Sequence, residues 1–344
     1  MRLFFALLPL VLLVGKEPFP LAAETVFPLP GTVSERPEFV VFVAGFDEGK
    51  NRYYTQAKIY FEAQGFQVVH HLSSLEGIVQ WLNGKAKRGK TFGEIHIVSH
   101  GNPWLGMSLK TTEQGERVSL ETLSSEGIKE KIPQMTNGIL TGTRIVFHSC
   151  GLAENTALIA QLKLFFTSLK IPLVYASPWF TVFGGKYAPK YLAKPYYGFY
   201  PTAESPGPLA LSKEFAQKYP QTDIDWFSAI RTRMEKGFGE AYSYKFNIPV
   251  SWEFSFAKTT EIPLFRDTEA LMDWLVANEA AAKSLFQLGI PIEKYRWRSR
   301  VKGNTLYIQG KTTVLCVLKP IMGKNKALEY RSPSLDDDEL YQIL

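Results

Sequence analysis

The sequence predicts an α/β protein: a mostly parallel sheet with helices on both faces, followed by a C-terminal α+β region. Three observations carry this. From Phe39 onward, short apolar runs alternate with helical patterns, the signature of a parallel sheet with crossover helices. The runs are apolar at nearly every position rather than at alternate ones, as strands covered on both faces require. Finally, 344 residues with 45% apolar content supply enough core for one large domain or two ordinary ones.

The first strand is FVVFVAG (39–45), followed by a helical pattern over 53–64 in which Ala57, Tyr60 and Phe61 share a face. Gly65 ends it, and FQVVHHL (66–72) reads as a strand. A helix over 74–86 puts Ile78, Val79 and Leu82 together before the strand EIHIVSHG (94–101). MSLKT and ERVSL then flank the turn-like Glu113-Gln114-Gly115 as a hairpin, and Ser119 is an N-cap for a helix reaching about Lys131. TRIVFHS (143–149), a helix over 155–169 and the strand IPLVYAS (171–177) complete the unit.

Residues 178–208, rich in Pro, Gly and Tyr, read as a long ordered loop or domain junction. Beyond them come helical patterns over 211–217 and 225–237, a strand over 248–256 and one helix over 268–288. KYRWRSRV and NTLYIQG pair as a hairpin across Lys302-Gly303, and TTVLCVLKP adds an apolar strand. Trp252, Phe254, Phe256 and Trp297 read as core rather than as a carbohydrate platform. The expected division is a signal peptide (1–23), a linker (24–37), a catalytic domain (38–200) and a C-terminal α+β region (201–344) with an acidic tail around Asp336–Glu339.

The apolar run Leu3–Val14 behind Arg2, ending in Ala22-Ala23, has the layout of a secretory signal with cleavage after Ala23. The expected location is therefore secreted or periplasmic. No later segment has the apolar length of a span, so no stable membrane insertion of the mature chain is expected. The net charge of +6 becomes +5 once Arg2, Lys16 and Glu17 leave with residues 1–23. This charge is scattered, with no basic stripe, which argues against a nucleic-acid partner. Cys150 and Cys316 are the only cysteines: they pair as a disulfide, or at least one is kept as a thiol for chemistry. Cys316, inside VLCVL, reads as a core thiol.

In a doubly wound sheet the carboxyl ends of the strands form the working edge. His100-Gly101 ends one apolar strand and Ser149-Cys150-Gly151 ends the next. A thiol nucleophile needs a base within reach and backbone N–H groups aimed at the oxyanion; a residue without Cβ, such as Gly101, suits close approach. This pattern resembles that of the caspases, gingipains, legumains, clostripain and CHAT domains, over roughly residues 39–177, and the 50-residue interval from His100 to Cys150 matches the caspase spacing. The resemblance implies a caspase-like fold and a cysteine endopeptidase acting on a protein or peptide substrate. In it His100 is the acid/base, Cys150 the nucleophile, and the Gly101 and Cys150 amides the oxyanion hole. Neither a cofactor nor a metal is needed.

His148, two residues before Cys150, is expected on the same side of the strand, where with Ser149 it could tune the thiol. The resemblance points to Ser177, Pro178, Trp179 and Phe180 for the substrate pocket, and Glu154, Asp223 and Asp225 are the guesses for a pocket carboxylate. Lys186, Lys190 and Lys194 form a hypothetical processing loop. Three other readings stay open: a catalytically silent interaction protein on the same fold, a serine hydrolase using Ser99, and a zinc site from His96, His100, His148 and Cys150.

Overall fold

The repeating strand–helix pattern folds as a parallel sheet. The structure, a computed structural model, describes residues 36–344 except 48, 50 and 325–328, so the expected signal segment and all but the end of the linker lie outside the described residues. β1 (Glu38–Val43) leads through α1 (Arg52–Ala63) to β2 (Gln67–Val69), and α2 (Leu75–Ala86) leads to β3 (Phe92–Val98). A two-strand ribbon follows, β4 (Gly101–Asn102) with β5 (Gly106–Met107), and then the short helices α3 (Leu120–Ser124) and α4 (Ile128–Lys131). β6 (Ile139–Phe147), α5 (Thr156–Phe166) and β7 (Leu173–Ala176) come next.

The N-caps expected of such helices are present: Asn51, Ser74 and Asn155 accept hydrogen bonds from the first-turn amides of α1, α2 and α5. Side chains alternating along β1 cover both faces of the sheet. Val40, Phe42 and Ala44 pack with α2, α3 and α5, whereas Val41 and Val43 pack with Tyr54, Ala57 and Phe61 of α1.

β8 (Phe180–Phe183) and β9 (Lys190–Pro201) run through the stretch expected to be loop. Its prolines and glycines mask a period of two: Tyr191 and Ala193 face one core, Tyr196 and Tyr200 another. The chain continues through α6 (Pro208–Lys218), α7 (Trp226–Arg231), β10 (Tyr242–Ser255), α8 (Thr268–Ala277), α9 (Glu279–Leu288), β11 (Arg296–Lys302), β12 (Thr305–Pro320) and β13 (Gln342–Ile343). The single helix expected over 268–288 is two, because Asn278 ends α8 and its side chain caps the Ala281 N–H at the start of α9. The helix expected from Ser119 is likewise two pieces. Of the expected 107–120 hairpin, the bonds Val118 N–H to Leu109 and Thr111 N–H to Glu116 are made.

The central sheet has the order β13-β7-β6-β3-β1-β2, parallel throughout except for β13. β10, β12, β9 and β8 form a second, antiparallel sheet, with β11 on β12. β9 ends at the expected boundary near residue 200, yet it pairs along its length with β12, and residues 36–344 form one compact unit. Among the described residues, no helix is long and apolar enough to cross a membrane.

Candidate active site

β3 and β6 are parallel neighbours, with Ile97 level with Phe147, so the chain leaves both at the same edge of the sheet. The two exits are stitched together: His148 N–H donates to Ile97 O at 2.8 Å, and Ser149 Oγ donates to Ser99 O at 2.9 Å. This brings His100, Gly101 and Cys150 onto one cleft of about 530 Å³. Two glycines make the approach possible. A Cβ on Gly101 would lie 3.0 Å from Ser149 Cβ and 3.7 Å from the Cys150 amide nitrogen, and one on Gly151, whose φ is +67°, would lie 2.9 Å from Pro103 Cγ.

His100 is held by α1 and the turn before it. Its Nε2 is 2.8 Å from Asn51 Nδ2, its ring stacks on Tyr53 at 4.3 Å, and its edge meets Tyr54 at 5.0 Å. Its backbone N–H donates to the Tyr54 hydroxyl at 3.0 Å, which donates in turn to Asp47 at 2.6 Å. Burial lowers the imidazole pKa, and the Asp47 carboxylate opposes that shift. Asp47, Asn51, Tyr53 and Tyr54 went unread in the sequence. The edge rule that selected His100 also covers the polar stretch directly after β1, and it could have found them.

Cys150 is 8% exposed, with Sγ 3.9 Å from the Thr181 carbonyl, among Phe180, Tyr191, Tyr242 and Leu318. Burial pushes its thiol up to about 12. Cys316 packs in the same cluster, and both cysteines are free.

His148 and Cys150 do not pack together as their spacing predicted, because β6 ends at Phe147 and its period of two does not reach Cys150. His148 stacks on His96 at 5.0 Å and packs against Phe61 and Phe183 beneath α1. His148 Nε2 is 2.7 Å from His96 Nδ1, His96 Nε2 is 2.5 Å from Glu94, and Glu94 pairs with Arg144. Burial holds both imidazoles below the usual histidine range, with Lys190 adding to the effect. The row reaches the cleft through the backbone: Tyr53, stacked on His100, donates its hydroxyl to the His148 carbonyl.

Of the expected pocket segment, Phe180 lines the cleft together with Thr181, Val182 and Phe183. Ser177 instead accepts the Trp179 N–H, and the Trp179 indole donates to the Glu339 carbonyl, facing the C-terminal segment. Pro178 is not among the lining residues either. Glu154, Asp223 and Asp225 lie off the cleft, Asp225 being the exposed N-cap of α7; the carboxylates that do line it are Asp47 and Glu235. Lys190 and Lys194 lie in strand β9, not in a loop. Ser99 is fully buried, its hydroxyl turned to the His100 carbonyl. Among the described residues no group of three or more His, Cys, Asp or Glu is arranged to hold a metal.

Fold and cleft together define an α/β protein with an imidazole and a thiol at the carboxyl edge of a parallel sheet. Comparisons with family models, with curated proteins and with solved structures return no match.

Proposed function

We propose that this chain is an exported cysteine endopeptidase of the caspase-like kind. The observation that carries the reading is the convergence of His100, Gly101 and Cys150 on one cleft from the ends of two adjacent parallel strands. Cys150 attacks the scissile carbonyl while its proton passes to His100, and the Gly101 and Cys150 amides stabilise the oxyanion. His100 then gives the proton to the leaving amine, and water hydrolyses the thioester. A resting thiol near 12 stays neutral, so proton transfer and attack belong to one event that follows substrate binding. The same thiol favours a second reading, a catalytically silent protein that uses the cleft to bind a partner.

The test is incubation with a mixed-sequence peptide library, reading new amine termini by mass spectrometry. The wild type is expected to cut, and Cys150→Ala and His100→Ala are expected not to. Equal product from wild type and Cys150→Ala rejects the reading. Export is tested separately: the mature chain recovered outside the cytoplasm is expected to begin at Glu24.

A further inference from the structure

The cleft is chemically lopsided. Beside His100 lies Asp47, which takes the Tyr54 hydroxyl and has the Arg117 guanidinium as a charge partner. Beside Cys150 the walls are Phe180, Tyr191, Tyr242 and Tyr244, and the carboxylate at that end is Glu235. Glu235 is 4% exposed. It accepts from the Gly239 N–H at 2.5 Å and from the Tyr330 hydroxyl at 2.8 Å on each oxygen. These partners are neutral, and among the described residues Glu235 makes no ion pair. Tyr330 is itself fixed by stacking on Tyr191 at 4.7 Å and on Phe238 at 4.6 Å, so the carboxylate has a set position.

A buried carboxylate held only by neutral donors is a charge short of its compensation. The cations at this end, Lys186 and Arg233, are exposed, and water screens them; Lys186 is in addition turned to the Lys236 carbonyl. A ligand that supplies a cation at the floor and apolar stem above it satisfies both the carboxylate and the aromatic walls, whose faces attract cations.

We propose that Glu235 is the specificity-determining residue of this cleft, and that the pocket beside Cys150 takes a lysine or arginine side chain of the substrate. This rests on the peptidase reading for its biological meaning but not for its test. Binding is measured on Cys150→Ala by calorimetry with small probes: n-butylguanidinium against n-butylurea for arginine, and n-pentylammonium against n-pentanol for lysine. At least one cation is expected to bind ten-fold or more tighter than its neutral partner, and Glu235→Gln, which keeps the shape and an acceptor oxygen, is expected to abolish the difference. Equal binding of cation and neutral probe by the parent chain overturns the proposal whether or not Glu235→Gln folds. So does a preference that survives in a folded Glu235→Gln. If cations bind through Glu235 but no peptide is ever cut, the peptidase reading fails and the pocket assignment stands. If peptides are cut without regard to basic residues, the reverse holds.

Discussion

Asn51 Nδ2 lies 2.8 Å from His100 Nε2, and the same Asn51 side chain accepts the Tyr53 N–H as the N-cap of α1. The helix start and the imidazole are therefore fixed by one residue. Its amide nitrogen donates to Nε2, which assigns the imidazole proton to Nδ1 when His100 is neutral, so His100 takes the thiol proton at Nε2 only as the Asn51 bond is released. Tyr53, the second residue of α1, stacks on the face of the ring.

Asn51→Asp separates the two duties. Aspartate caps a helix as well as asparagine does, so α1 is expected to be unchanged. A carboxylate beside the imidazole stabilises its cation and raises its pKa. The acid limb of the pH–rate profile for peptide cleavage is expected to move to higher pH, with kcat lowered and KM little changed. Asn51→Ala is expected to lower kcat too and to cost about 1 kcal/mol of stability by chemical denaturation. An unmoved acid limb in Asn51→Asp removes Asn51 from the positioning of His100.

Cys150 carries a second expectation. A thiol raised from the ordinary 9.0 to about 12 has about a thousand-fold less thiolate near neutral pH. Alkylation of the free protein by iodoacetamide at pH 7.5 is expected to be slower than that of a model thiol by two to three orders of magnitude, rising about ten-fold per pH unit. A rate at or above the model thiol's shows a thiolate already formed at rest.

Gly101 bears on the proposed oxyanion hole. Its added Cβ meets Ser149 Cβ at 3.0 Å and the Gly106 carbonyl at 3.2 Å, the first fixed by the stitching of the two strand exits and the second by the β4–β5 ribbon. Gly101→Ala is expected to push the two amides apart, costing about 1–2 kcal/mol of stability. The expected fall in kcat is about a hundred-fold, the scale of losing one oxyanion donor. Activity within a factor of three of wild type, in a folded variant, places the oxyanion donors elsewhere.

The buried row Glu94, His96, His148 governs stability against acid. Both imidazoles have folded pKa values below the unfolded value of about 6.5, so the unfolded chain takes up protons first. Their stability is present in full above that value and is lost as pH falls below it, at up to about 1.4 kcal/mol per pH unit for each. Glu94 has a lowered pKa: burial raises it, but His96 and Arg144 together outweigh that, and its contribution is lost at still lower pH. Urea unfolding at pH 7.5, 6.0 and 5.0 is expected to show a falling midpoint, and His148→Phe to flatten it. A midpoint that is flat or rises toward pH 5 contradicts this.

What the sequence disclosed follows the range over which each signal acts. Apolar runs and caps are local, so the β-α-β-α-β order and the shared edge of His100 and Cys150 were legible. The separate packing of Cys150 from His148 was not, because β6 ends at Phe147 and its period of two does not reach Cys150. β9 was hidden by Pro195, Gly198 and the Pro189 just before it, although Tyr191, Tyr196 and Tyr200 each bury a ring in it. Glu235 joins the cleft from 85 positions beyond Cys150, through a turn held by Tyr330, and no local pattern marks such a meeting.

That distance also bears on how the chain folds. Removing residues 201–344 strips β9 of β12, takes β13 from the edge of β7, and uncovers Tyr191, Leu192, Tyr196 and Phe199. Trp104, in the loop after His100, loses the Leu288 carbonyl its indole donates to at 2.9 Å, and Phe246 beside it. An edge of unpaired backbone beneath exposed aromatics is a template for aggregation. Residues 36–200 expressed alone are expected to be insoluble or to lack a cooperative thermal transition, while 36–344 melts as one unit. A soluble 36–200 fragment with a sharp transition and intact His100-dependent peptide cleavage contradicts this and makes the C-terminal region an appended module.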